Sequence, residues 1–181
     1  MSHWTAESHA LEFVRKLARP GDEVLDVGGE GGEYKRLIEE VLQCQYHPLN
    51  TGAGSLYDIT ERPYDWPIPS DRYPMVISSS TFEHIEFPWL TFLEMVRVTA
   101  RGGYIYINAP STGPAHWDKD CWRFLKDSME AFGKWGNVQC LSASVDSGKD
   151  ADEIWHDCIG VFRKPLNHKP AYNAARNVQL P

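Results

Sequence analysis

The chain has 181 residues, enough for one domain with a sizeable core and at most a short tail. Its 42% hydrophobic and 24% charged residues are the balance of a soluble globular protein, with no apolar run of membrane-spanning length and no leader pattern at the start. The net charge of −7 counts against a nucleic-acid surface, and four scattered cysteines without a CxxC pair fit reduced core thiols in a cytoplasmic protein, with no metal set expected.

Taken in chain order, HALEFVRKLA puts Leu11, Val14 and Leu17 on one face and predicts a helix ended by Pro20 and Gly21. EVLDVG reads as a buried strand. EYKRLIEEVLQ has Leu37, Ile38, Val41 and Leu42 at helical spacing. CQYHPLN is a second strand that Pro48 weakens. SLYDIT is a short third strand, and PMVISSST is a fourth. PWLTFLEMVRVTA is a helix with Pro88 in its first turn. Arg101, Gly102 and Gly103 suggest a turn, followed by the alternating strand YIYINAP. CWRFLKDSMEAFGKWG reads as a helix, and VQCLSASV with CIGVFRKP as a closing strand pair joined by the polar DSGKDADEIWHD. The expected organisation is one domain over 1–165 and an extended tail over 166–181.

Strands alternating with helices, then two strands in succession, specify an α/β sheet that is mostly parallel with one antiparallel closing strand. Ligands of such sheets lie at the carboxyl ends of the strands. There the chain places DVGGEGG, with Gly28, Gly29, Gly31 and Gly32 directly after Asp26 and Val27. A dinucleotide fingerprint fails here. Counting from Gly29 puts Tyr34 at the third glycine, and counting from Gly28 puts Glu30 at the second, where it would repel a pyrophosphate. Acids around the turn favour a ligand that carries positive charge.

DVGGEGG resembles the first motif of the class I S-adenosylmethionine-dependent methyltransferases, matching at Asp26, Gly28 and Gly32 and departing at Glu30, where the family has its middle glycine. The segment from VISSSTFEHIEFPW through RVTARGG to HWDKDCWRF is similar to a type 11-like subgroup, so the resemblance covers roughly residues 22 to 136. It implies a Rossmann-like class I fold and S-adenosylmethionine as cofactor. Asp26 would meet the methionine ammonium group, with Gly28, Gly29 and Glu30 forming the turn beneath the cofactor. Asn50 stands where the family has an acid for the ribose. Asp58 and Ile59 fall where the adenine is bound, and Ser79 and Ser80 line the cofactor at the end of the fourth strand.

The acceptor side is expected in PAHWDKDCWRF. His116 is the first choice for a base, since imidazole titrates near neutral pH, with His84 and Glu83 as the next candidates. The alternative is that FEH opens a helix or loop and its polar groups satisfy backbone donors. Trp117, Asp120 and Arg123 could wall and orient a substrate. In the alternative, Trp122 and Phe124 are core and Arg123 pairs with Asp120; both readings are expected to hold in part, with Trp122 and Phe124 inward and His116 and Trp117 toward the site. The expected activity is O-methylation of a small molecule or sugar hydroxyl, with nucleic acid and membrane excluded as partners. A cofactor-binding protein without transfer activity is the alternative. So short a chain has few elements to cover an acceptor, so a partner subunit, as in a homo-oligomer, is left open.

Overall fold

The structure is a computed structural model that describes residues 4–52, 55–146 and 154–170. Seven strands form one sheet: β1 (Glu23–Val27), β2 (Gln45–Asn50), β3 (Tyr57–Asp58), β4 (Tyr73–Ser79), β5 (Thr99–Pro110), β6 (Gln139–Val145) and β7 (Asp157–Arg163). Their spatial order is β3-β2-β1-β4-β5-β7-β6. The pairs from β3 to β5 are parallel, and β7 runs antiparallel to both β5 and β6. The expected mixed sheet with one reversed strand is present.

Side chains alternate across the sheet and fill a core on each face. On one face, Val24, Tyr46, Met75, Ile77 and Tyr106 pack under α1 (Trp4–Leu17) with Ala10, Phe13 and Val14. On the other, Leu25, Leu49, Val76, Ile105 and Phe162 meet Phe92 and Met95 of α3 (Pro88–Val98) and Met129 and Phe132 of α4 (Lys126–Gly136). The helix α2 covers only Gly32–Arg36, and the chain continues in a widened π-helical turn over Leu37–Val41, closed by Leu42 N–H donating to Leu37 O.

Pro48 sits inside β2 without loss of a ladder bond. Its carbonyl accepts from Leu56 N–H, so its nitrogen faces the same side, where β3 begins only opposite Leu49.

Two expectations are corrected. Residues 101–103 do not form a turn between elements, because β5 starts at Thr99 and runs through them. Gly102, at φ 82°, lets the strand bend while Gly102 N–H bonds Lys164 O and Lys164 N–H bonds Gly103 O. The helix expected from Cys121 begins only at Lys126. The N–H groups of Cys121 and Trp122 donate to Glu83 O, and that of Phe124 donates to Pro110 O. Donors spent on the loops above the sheet hold this segment extended.

Two buried charged groups pin the periphery. The ammonium of Lys164, 3% exposed, donates to Val96 O at 2.7 Å, Thr99 O at 2.8 Å and Asp71 Oδ1 at 2.6 Å. It thus caps the carboxyl end of α3 with a positive charge. We expect Lys164→Met to destabilise the chain by about 1.5–3 kcal/mol, the scale of hydrogen bonds to a charged group, in urea unfolding at neutral pH. The second group, Glu94, accepts from Trp66 N–H at 2.8 Å and from Arg97 Nε and Nη2 at 2.8 and 2.6 Å, tying the 60–70 loop to α3.

Residues 166–170, the described part of the expected tail, lie along the body. Arg101 Nη1 donates to the Leu166 and His168 carbonyls, and Asn137 Nδ2 donates to Lys169 O. Residues 171–181 and most of the β6–β7 connection, 147–153, lie outside the described residues.

Candidate active site

The site begins where β1 ends. Asp26 is 4% exposed, and among the described residues the one hydrogen bond to its carboxylate comes from the Tyr46 hydroxyl at 2.7 Å. Gly31 N–H in turn donates to that hydroxyl at 3.3 Å. Burial pushes the Asp26 carboxyl up to about 7, with the Tyr46 hydrogen bond opposing the shift. A buried carboxylate so lightly compensated suits a cationic ligand.

The glycines make this closeness feasible. Gly28 has φ 86°, and a Cβ there would come within 2.2 Å of Thr81 Oγ1. A Cβ on Gly29 would lie 2.4 Å from both Asp26 Oδ2 and the Tyr46 hydroxyl oxygen. Glu30, in the place of the family's middle glycine, is exposed at the tip of the turn.

Asn50 ends β2, as expected, but its amide holds protein groups. Its Nδ2 donates to Gly28 O at 3.3 Å, and its Oδ1 accepts from Thr51 N–H at 2.8 Å. Asn50 therefore braces the glycine turn. Asp58 Oδ1 accepts from Gly52 N–H, Thr60 N–H and Thr60 Oγ1, which organises its own loop and holds the carboxyl below the usual carboxylate range. Ile59 beside it is buried in the core.

Ser79 closes β4, and Ser80 follows at φ 49° with its N–H on Asn108 O. On the α1 face at the strand ends, Ser79 Oγ is buried without a hydrogen-bond partner, and the buried Tyr106 hydroxyl and Asn108 amide have at most a weak contact with each other. Ser79 and Asn108 are direct neighbours across the β4–β5 ladder. Such groups cost about 1–3 kcal/mol each unless a ligand or water satisfies them.

The next loop carries a short 3-10 turn, Phe82–His84. Phe82 enters the core, and Glu83 beside it is 1% exposed. Its Oε2 is without a partner, and burial raises its carboxyl to about 7. The loop after β5 brings His116 over it. Nε2 of His84 lies 3.5 Å from Glu83 Oε1, and Nε2 of His116 lies 4.0 Å from the same atom. His84 Nδ1 bonds Lys119 O at 2.5 Å, so the ring serves a backbone acceptor and not the backbone donors of the alternative reading. The three residues named separately from the sequence thus converge.

Asp120 and Arg123 are engaged with each other. Both Asp120 oxygens accept from the guanidinium, at 2.6 and 2.8 Å, and Oδ2 also accepts from His116 N–H at 2.7 Å. The Arg123 contact holds the Asp120 carboxyl well below the usual carboxylate range. Arg123 further donates to Gly113 O and Pro114 O, so the pair forms the clasp of this loop. Trp117 stands in solvent at 79% exposure and φ 70°. Phe124 is buried, as expected. Trp122 is not: it is 38% exposed, its ring lies edge-on to Trp89, and its Nε1 donates to Ile85 O. The extended path of 121–125 turns it outward.

Sequence reasoning missed Tyr46, Thr81 and Trp155, whose ring lies 4.9 Å from that of His116. Tyr46 and Trp155 reach the site across the fold, with no local signal, whereas Thr81 directly follows Ser79 and Ser80 in the chain. Asn108 was nearer to hand, as a polar residue at the carboxyl end of a buried strand.

No protein-family model and no curated protein matches the sequence. Solved structures do match. A chain of the complex between the Haloferax volcanii Trm112 methyltransferase activator and its methyltransferase superposes with a TM-score of 0.71 at 19% identity, covering 93% of this chain and 92% of that one. The 1,6-didemethyltoxoflavin-N1-methyltransferase of Burkholderia thailandensis, solved with S-adenosylhomocysteine, gives 0.68 at 12%, covering 90% and 80%. The [4+2]-cyclase SpnF gives 0.71 at 14%, covering 92% and 83%. The chain has the Rossmann-like class I methyltransferase fold. A cyclase among these neighbours shows that the fold does not set the reaction, which has to be argued from the site.

Proposed function

We propose that the protein is an S-adenosylmethionine-dependent methyltransferase acting on a hydroxyl of a small molecule or sugar. The observation that carries this reading is Asp26: a buried carboxylate with one hydrogen bond, beside a glycine turn too tight for a Cβ, at the carboxyl edge of the sheet. That arrangement fits the ammonium of S-adenosylmethionine and repels a pyrophosphate. When bound, the cofactor supplies an electrophilic methyl group on a sulfonium.

In this reading Asp26 takes the ammonium, and Asn50 keeps the turn in place beside the ribose. Ser79 and Asn108 offer their buried polar atoms to the bound molecules. Glu83, His84 and His116 face the acceptor, whose hydroxyl gives up its proton there. The protein's contribution is to orient two reactants and exclude water. The [4+2]-cyclase and the Trm112 complex among the neighbours leave a different reaction and a protein partner as alternatives to be tested against it.

Calorimetry should show S-adenosylmethionine and S-adenosylhomocysteine binding and no comparable binding of NAD; the reverse preference would sink the proposal. The binding should also depend on pH. In the free protein Asp26 titrates at about 7, and an ammonium partner favours its ionised form. Below that pH a proton has to leave before the ligand is gripped. The affinity for S-adenosylhomocysteine should therefore fall by about tenfold per pH unit on the acid side of neutrality. An affinity that stays flat from acid to neutral pH would remove Asp26 from the contact.

A further inference from the structure

We propose that Glu83, His84 and His116 form a binding site for a divalent first-row transition-metal ion of the zinc type. One possible ligand atom from each lies within 4.8 Å of the other two. The donor set, two imidazoles and one carboxylate, is that of zinc and its neighbours and not of magnesium or calcium, which take oxygen. Bonds of about 2.0–2.2 Å from a common centre put ligand atoms roughly 3–3.5 Å apart. The His84–Glu83 separation of 3.5 Å meets this already, and the His116–Glu83 separation of 4.0 Å needs only a small side-chain rotation.

Proximity alone would be thin support, since imidazoles and carboxylates often meet as ordinary ion pairs. The tautomers add to it. A carbonyl only accepts, so the 2.5 Å contact with Lys119 O places the His84 proton on Nδ1 and leaves a lone pair on Nε2, toward Glu83. His116 Nδ1 lies 3.0 Å from Asp120 Oδ2, off the line of a good hydrogen bond but close enough for the carboxylate to draw the proton to that nitrogen. Its Nε2 is then also a lone-pair donor on the Glu83 side. A ring held by a carbonyl or carboxylate at its far nitrogen is the usual surrounding of a metal-bound histidine. Asp120 is itself fixed by Arg123, so the support is rigid.

The third observation is Glu83 Oε2, in a side chain 1% exposed, with no hydrogen-bond partner. The atom that faces both imidazoles is Oε1, so a cation there compensates the charge of this costly buried carboxylate, and it reaches Oε2 as well when Glu83 binds through both oxygens. His84 and His116 are 25% and 37% exposed, so the cluster opens on one side. Three protein ligands with an open side make a site that also takes water or a substrate oxygen.

The role of the ion rests on the methyltransferase reading. Thr81, against Gly28 of the cofactor turn, is two residues from Glu83, so an ion here would lie on the acceptor side. An acceptor hydroxyl in an open position would be oriented by the ion, and its O–H proton would pass more readily to water. The acceptor class narrows to molecules that present an oxygen ligand, such as sugars and other polyols.

The test is titration of the metal-free chain with Zn²⁺ alone, followed by calorimetry, with S-adenosylhomocysteine affinity measured in a separate experiment. One Zn²⁺ should bind per chain. His84→Ala and His116→Ala should each lose affinity by at least the roughly 10–100-fold that follows loss of a mere orienting partner. Both side chains are partly exposed, so both variants should keep the wild-type melting temperature, and a third variant, His84→Gln, preserves bulk should either fail to fold. No Zn²⁺ binding, or binding unchanged in folded variants, would overturn the site. If Zn²⁺ binds as described and S-adenosylhomocysteine does not, the metal site stands and the methyltransferase reading falls.

Discussion

Glu94→Ala should destabilise the folded chain by about 3–5 kcal/mol, the range for removing one partner of a buried ion pair. For a chain of this size that is a melting temperature lower by about 6–20 °C. The carboxylate, 4% exposed, receives Trp66 N–H and two nitrogens of Arg97. Its removal leaves a buried N–H without an acceptor and a guanidinium whose remaining contacts are the carbonyls of Trp66 and Ile68 and the hydroxyl of Ser70. Glu94→Gln should cost less, because an amide oxygen still serves Trp66, although its NH₂ faces Arg97. Reversible thermal unfolding of the three proteins checks the order. Equal stability of wild type and Glu94→Ala would mean that the 60–70 loop is held in another way.

Asp26→Asn should separate binding from stability. Loss of a charge-assisted contact of about 1.5–3 kcal/mol lowers cofactor affinity by roughly 10–150-fold. The ligand-free fold should not suffer. Burial raises the Asp26 carboxyl from 3.8 to about 7, so between those values the folded chain holds a proton that the unfolded chain has lost. That contribution to stability is complete below the lower value and is lost as the pH rises through the upper one. Asparagine has no such proton to lose and can still accept from Tyr46. Above neutrality the variant should melt at or above the wild-type temperature. A variant that binds S-adenosylhomocysteine normally, or that melts well below wild type, would make Asp26 structural.

Much of this was legible in the sequence. Short apolar runs between turn residues marked all seven strands, and the order of elements marked the reversed one. The acid followed by glycines marked the ligand edge. The misread stretches were those whose backbone is governed by distant partners. Cys121–Leu125 has a plausible helical composition, yet its N–H groups are taken by Glu83 and Pro110. Arg101-Gly102-Gly103 has turn chemistry, yet it bends a continuous strand because Lys164 bonds across it. The convergence of Glu83, His84 and His116 was out of reach for the same reason. His84 and His116 belong to loops after different strands, and only the β4–β5 register brings those loops together.

The position of β7 bears on how the chain is made. It follows the other six strands in sequence, yet it lies between β5 and β6. On a ribosome, β1 to β5 can pair as they emerge. β6 cannot join them, because the place beside β5 belongs to β7, a segment not yet synthesised. Until β7 arrives, β5 and β6 each present bare backbone, and β5 does so along buried, apolar residues of the kind that recruit other chains. A stop codon ahead of Asp157 should therefore yield an aggregating product rather than a smaller soluble domain.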